Sequence, residues 1–214
     1  MNPTYYYQEV TCLPDHEISI GFVLGKVMDE IHLALVESAA GTQDCRIGLS
    51  FPEYREASQE DVMTDASQKT THDELQGPPI GSKIRVFARS DDDLLQLNLS
   101  NRLSRLLDYV HLTSVRKLER KINRYAVYKR CQTKSSRDRL IRRQMKRKGL
   151  DQATAQAEYA TFKPRYSQLP YVNMRSHSTA QRFRLYIERS MAEAGEDWCF
   201  STYGLSGTTA VPEF

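Results

Sequence analysis

The chain has 214 residues, and its net charge of +3 conceals a division: residues 1–122 carry 13 Lys and Arg against 19 Asp and Glu (net −6), residues 123–214 carry 17 against 8 (net +9). That length holds one large domain or two small ones, and the basic half points to a polyanionic partner. Four dispersed cysteines without a CxxC pair exclude a zinc ribbon or a disulfide framework, and neither a signal peptide nor a membrane-length apolar run is visible, so a soluble cytoplasmic chain with reduced thiols is expected.

Thr4 to Cys12 is rich in aromatic and β-branched residues and predicts a first strand. After Pro14 and Asp15, the helical spacing of Ile20, Leu24, Val27, Ile31 and Leu35 predicts a helix from about Ile18 to Glu37, ended by Gly41. Cys45 to Phe51 reads as a strand stopped by Pro52. Residues 53–82 are crowded with Ser, Thr, Asp, Glu and Gln and read as a polar surface insertion. Lys83 to Arg89 alternates as a strand does. Asp91, Asp92 and Asp93 then open a helix whose Leu94, Leu95, Leu99, Leu103 and Leu106 are expected to face a core. Tyr109 to Val115 is a fourth strand. The order strand, helix, strand, strand, helix, strand is the ferredoxin-like βαββαβ pattern, which places residues 1–122 in an α+β domain.

Residues 123–214 are expected to form a second α+β region. Tyr125 to Gln132 reads as a strand feeding a basic helix over 136–148. Between Lys129 and Lys148, ten of twenty residues are Lys or Arg and the only acid is Asp138. Ser135 or Ser136 caps this helix, and Gly149 closes it. Arg139, Arg142, Arg143, Lys146 and Arg147 recur at three- and four-residue spacing and share a face, while Leu140, Ile141 and Met145 give a narrow apolar side. A solvated helix face normally mixes charges, because like charges at this spacing repel. This one does not, and nucleic acid is the polyanion that fits it. A membrane surface does not, because bulky apolar residues are scarce on the other face. Gln152 to Tyr159 reads as a short helix and Lys163 to Leu169 as a loop. Tyr171 to Arg175, Arg182 to Arg189 and Trp198 to Tyr203 read as strands.

None of the five histidines, His16, His32, His72, His111 and His177, has metal-binding spacing, so neither a metal nor a cofactor is expected. His32 lies on the first helix one turn after Met28 and borders the apolar stripe, a position open to a structural or a chemical role. Ser176, Ser178 and Thr179 gather hydroxyls before a strand, as a polar turn does when it bonds its own backbone. Tyr203, in FSTYGLS, equally suits a half-buried tyrosine with its hydroxyl at the surface.

Together, CRIGLSFP (45–52), Arg130-x-Gln132 before the Arg-rich helix, MRSHSTAQRFRLYI (174–187) and FSTYGLS (200–206) resemble, in order and wording, the type I-F CRISPR repeat-processing endoribonucleases of the RAMP superfamily. The resemblance spans nearly the whole chain outside the 53–82 insertion. It implies an N-terminal ferredoxin-like domain and a C-terminal region that binds the stem-loop of the CRISPR repeat in precursor RNA. It also implies cleavage at the 3′ base of the stem without a metal, by attack of the upstream ribose 2′-OH, giving a 2′,3′-cyclic phosphate and a 5′-OH. The implied catalytic residues are His32 (in HLALV), Ser176 and Tyr203. An imidazole is matched to removing the 2′-OH proton near neutrality. A seryl hydroxyl can orient the ribose, and a tyrosine hydroxyl can set the tautomer and tilt of the imidazole.

The same resemblance implies that Arg130 and Gln132 read a guanine and an adenine, and that Phe183 stacks beneath the last base pair. Ser178, Thr179 and the cations Arg139, Arg142, Arg143, Lys146 and Arg147 complete the RNA-binding set. The expected partners are precursor RNA, the 3′ stem-loop of mature crRNA and the other subunits of a type I-F effector complex, with no membrane. Two other readings are a non-catalytic stem-loop-binding subunit of such a complex and a DNA-binding protein with a ferredoxin-like domain. Departures from the family pattern are the long 53–82 insertion, Lys146 and Lys148 where Arg or His is expected, and His177, a second titrating group beside Ser176.

Overall fold

The computed structural model describes residues 3–39, 44–55, 80–122, 124–132, 137–161, 167 and 169–214, and the chain is α+β. It divides into two compact units, residues 1–131 with 169–214, and residues 132–168.

In the larger unit, β1 (Tyr6–Cys12) buries Gln8, Val10 and Cys12 on one side, the two-residue alternation of a half-covered strand. Ser19 then caps α1 (Ile20–Ser38), accepting from the Phe22 N–H. Val23, Leu24, Val27, Met28, Ile31, Ala34 and Leu35 form its buried stripe. The strand expected over Cys45 to Phe51 is two short ones, β2 (Asp44–Cys45) and β3 (Gly48–Ser50). Between them the Arg46 carbonyl accepts from Trp198 Nε1 at 2.7 Å rather than joining a ladder. β4 (Lys83–Ala88) follows.

The Leu-rich helix is likewise divided, into α2 (Asp91–Gln96), α3 (Leu99–Arg102) and a 3-10 turn at Ser104–Leu106. Asn98, at φ 47°, breaks it; asparagine tolerates that left-handed conformation. The break resets the helical phase. Leu94, Leu97, Leu99 and Leu103 are buried, whereas Leu95, expected in the core, is 59% exposed. β5 (Val110–Leu112) and β6 (Arg116–Lys117) both pair with β1, and the sheet runs β3-β4-β1-β5 with every adjacent pair antiparallel.

The same unit contains β7 (Arg124–Cys131), β8 (Tyr171–Arg175), β9 (Arg182–Ala192), β10 (Phe200–Ser201) and β11 (Val211–Glu213). The second sheet is antiparallel in the order β11-β7-β9-β8. Of the strand expected over Trp198 to Tyr203, only β10 forms, and it pairs with β2. One apolar core unites both sheets: Leu24, Met28, Leu49 and Phe87 belong to the same cluster as Tyr128, Met174, Ile187 and Phe200.

Residues 56–79, the bulk of the polar insertion, lie outside the described residues, as does His72. The insertion's two ends meet. Glu53 Oε2 accepts from the Ser82 N–H at 2.8 Å and from Ser82 Oγ at 2.9 Å, and Ile80 is fully buried. Gly81 has φ +91°, and a Cβ on it would lie 2.3 Å from that of Glu53.

The smaller unit holds α4 (Arg137–Lys148) and α5 (Gln152–Glu158). The expected cap at Ser135 or Ser136 and most of the 163–169 loop lie outside the described residues. Gly149, at φ +66°, closes α4 by donating its N–H to the Met145 carbonyl at 2.8 Å. Ile141 is buried, Leu140 and Met145 half-buried, and Arg142, Arg143, Lys146, Arg147 and Lys148 exposed. Asp151 caps α5 through the Thr154 N–H, and Glu158 binds back to Gln144 (2.6 Å) and Lys148 (3.7 Å).

Candidate active site

The site is assembled in the larger unit from α1, the β8–β9 turn and the turn after β10. Gly25, Asp29 and His32 stand four and three residues apart on α1 and so share a face. A Cβ at Gly25 would lie 2.3 Å from the Asn173 carbonyl oxygen, so only glycine lets α1 come this close to β8. One turn on, Asp29 Oδ1 accepts from the Arg175 N–H at 3.2 Å. One turn further, His32 faces the β8–β9 turn.

That turn, residues 176–181, is closed by its own backbone: the Ser176 N–H donates to Gln181 O at 2.9 Å and the Ala180 N–H to Ser176 O at 2.8 Å. Ser176 Oγ accepts from the Thr179 N–H at 3.3 Å and lies 3.2 Å from Ser178 Oγ. The hydroxyl cluster is thus the self-bonded polar turn its sequence suggests, and Ser176 is in addition a wall of a cleft of about 270 Å³. His32, Leu33, Arg175, His177, Phe183 and Tyr203 are among the cleft's other walls.

The third wall is FSTYGLS. The Gly204 carbonyl accepts from the Leu49 N–H at 2.8 Å, and Gly204 sits at φ +68° with Leu49 filling the space a Cβ would need. The turn so fixed aims the Thr202 carbonyl at His32 Nδ1, 2.7 Å away, and stacks Tyr203 on the imidazole with ring centroids 4.0 Å apart and planes 5° from parallel. A carbonyl only accepts, so the proton is on Nδ1 and the neutral ring presents the Nε2 lone pair. Thr202, not the Tyr203 hydroxyl, holds the tautomer; Tyr203 contributes the face of its ring. Burial pushes the His32 pKa down; the Thr202 carbonyl and Asp29 pull it up and His177 and Arg130 push it further down, leaving it below the ordinary 6.5. Such a ring is neutral at physiological pH and able to take a proton.

Arg130, on β7, lays its guanidinium 4.7 Å from the Tyr203 ring and 5.8 Å from the Phe183 ring. Of the expected site residues, His32, Arg130, Ser176, Ser178, Thr179, Phe183 and Tyr203 belong to this unit, while Gln132, Arg139, Arg142, Arg143, Lys146 and Arg147 belong to the helical unit. Sequence reasoning missed Gly25, Asp29 and Thr202. The first two were signalled only by sharing His32's helical face. Thr202 acts through its backbone, which no side-chain pattern reveals. Among the described residues, no three His, Cys, Asp or Glu side chains gather as a metal ion needs, and no helix is long and apolar enough to cross a membrane.

Residues 7–214 match the family described as CRISPR-associated protein (Cas_Csy4). Over 210 residues, 98% of this chain and 99% of the relative, the chain is 30% identical to the CRISPR-associated endonuclease Cas6/Csy4 of Escherichia coli (strain UTI89 / UPEC). Over the same coverage it is 29% identical to the protein of that name from Pseudomonas aeruginosa (strain UCBPP-PA14). The chain belongs to the Csy4 family of CRISPR-associated proteins.

Proposed function

We propose that this protein is a metal-independent endoribonuclease. It binds the stem-loop of CRISPR repeat RNA, cuts the precursor at the 3′ base of the stem and stays on the mature crRNA in a type I-F complex. The observation that carries the reading is the bond from His32 Nδ1–H to the Thr202 carbonyl, which leaves Nε2 as an acceptor in the cleft that Ser176 also lines. His32 takes the proton of the ribose 2′-OH upstream of the scissile phosphate, and the 2′-oxygen attacks phosphorus. The bond to the 5′-oxygen breaks, leaving a 2′,3′-cyclic phosphate and a 5′-OH. The nucleophile belongs to the substrate, so no activated water is needed. Ser176 orients the ribose for in-line attack, and Tyr203 holds the imidazole plane by stacking.

The chain is read as ferredoxin-like in its N-terminal half, on the antiparallel order β3-β4-β1-β5. Binding is assigned to α4, whose exposed Arg142, Arg143, Lys146 and Arg147 suit phosphates, with Arg139 in the same row. Arg130 and Gln132 read a guanine and an adenine at the stem base. Phe183 stacks beneath the last base pair and so sets the cut by distance from the duplex end, with Ser178 and Thr179 holding the strand beside it. The relatives named CRISPR-associated endonuclease support the reaction class.

The test is incubation with the host's own repeat RNA in excess EDTA, beside a copy carrying one 2′-deoxy at the cut. Cleavage of the all-ribose RNA alone is expected, and His32→Ala is expected to abolish it while sparing binding. Tight binding with no cutting would leave a stem-loop-binding subunit; no binding would end the assignment.

A further inference from the structure

Two imidazoles line the cleft, and the reaction above uses one. His177 follows Ser176 on the β8–β9 turn and is exposed, yet it lines the same cleft as His32, Phe183 and Tyr203. It is near enough for its charge to act on His32. Among the described residues, Asp29 on α1, Arg130 on β7 and Arg175 on β8 also bring charge to this cleft.

In-line displacement at phosphorus needs two proton transfers on opposite sides of the reacting atom. One removes the proton of the attacking 2′-oxygen; the other gives a proton to the departing 5′-oxygen, which is a poor leaving group as an alkoxide. One ring cannot reach both oxygens in a single transition state. His32 suits the first transfer, because its Nδ1 proton is held by Thr202 and its Nε2 presents a lone pair. It has no second proton to give while it remains neutral.

We infer that His177 is the general acid that protonates the 5′-oxygen, making the cleft a two-histidine site. The inference rests on the proposed cleavage. The 2′-O–H proton passes to His32 Nε2 as the 2′-oxygen bonds to phosphorus. The bond from phosphorus to O5′ breaks, and its electron pair takes the proton from the His177 imidazolium. His32 ends protonated and His177 neutral, and solvent exchange restores both.

The test replaces the bridging 5′-oxygen of the repeat RNA with sulfur, because a thiolate departs without a proton. His177→Ala is expected to cut ordinary RNA at least about 100-fold more slowly than the unaltered protein. It is expected to cut the 5′-thio RNA at nearly the unaltered rate and to bind uncleavable 2′-deoxy RNA as before. His32→Ala is expected to stay slow on both cleavable substrates. An unchanged rate on ordinary RNA overturns the assignment. So does an equal loss on both substrates, or a loss wholly explained by weaker binding. If the unaltered protein cuts neither substrate, the proposed function itself fails, and the assignment with it.

Discussion

At the scale of single residues, the environment of His32 predicts a pH profile. In the proposed reaction His32 is the base and must be neutral to accept a proton, so activity is expected to fall as pH drops through its pKa. Burial puts that pKa below 6.5, and the acid limb of kcat/KM for repeat RNA is expected to have its midpoint below 6.5. A midpoint above it would mean that the ring is stabilised as a cation. The same shift has a sign for stability: between the folded pKa and about 6.5 the unfolded chain holds the proton better, so His32 costs stability as pH falls through that window. Gly25 makes a second prediction. Gly25→Ala sets a Cβ against the Asn173 backbone, and relief requires α1 to move off β8, carrying His32 away from Ser176. We expect a loss of about 1–3 kcal/mol in stability and about 100-fold in cleavage, with RNA affinity kept. An unchanged rate would show that this spacing does not control the site.

At the scale of elements, α4 was legible because its signal is local. Cations at three- and four-residue spacing identify a face wherever the helix lies, and the exposure of Arg142, Arg143, Lys146 and Arg147 matches that pattern. Replacing Arg142 and Arg143 by Ala is expected to weaken RNA binding and to flatten its salt dependence by roughly 0.7–0.9 in log–log slope for each phosphate contact removed. An unchanged slope would move the RNA elsewhere. Misreadings fell where local pattern met a tertiary constraint. Leu95 has the spacing of a core residue, but Asn98 turns the helix out of phase beyond it. CRIGLSF alternates like a strand, but Trp198, more than a hundred residues on, claims the Arg46 carbonyl at its middle. The tie from Thr202 to His32 spans 170 residues and uses a main-chain atom, so residue types alone could name the histidine without saying what orients it.

At the scale of the larger unit, the two sheets share a core, and β11 is locked into it by polar contacts. Glu213 receives both Nε and Nη2 of Arg189, at 2.7 and 2.5 Å, and the Tyr128 hydroxyl at 2.7 Å, with its side chain only 12% exposed. Burial pushes the Glu213 carboxyl up, but the hydrogen bonds from Arg189 and Tyr128 outweigh it and hold it below the usual range. A depressed carboxyl stabilises the fold above its unfolded pKa, about 4.3, and that contribution fades as pH falls through the folded value. Glu213→Ala leaves Arg189 without its carboxylate and is expected to cost about 3 kcal/mol at pH 7. The difference in melting temperature from the unaltered protein should narrow below pH 4; a constant difference would deny the network its charge.

The bonds from Ser82 to Glu53, with Gly81 between them and Ile80 anchored beneath, draw the two ends of the polar insertion to a single point on the sheet. For a segment whose two ends are tied at one knot, length changes the closure entropy only logarithmically. Lineages can therefore lengthen or trim it without renegotiating the register of β4. Replacing residues 57–78 with a short Gly-Ser bridge is expected to leave melting temperature and cleavage rate nearly unchanged; a collapse of either would mean that the insertion contributes to the fold or to the reaction.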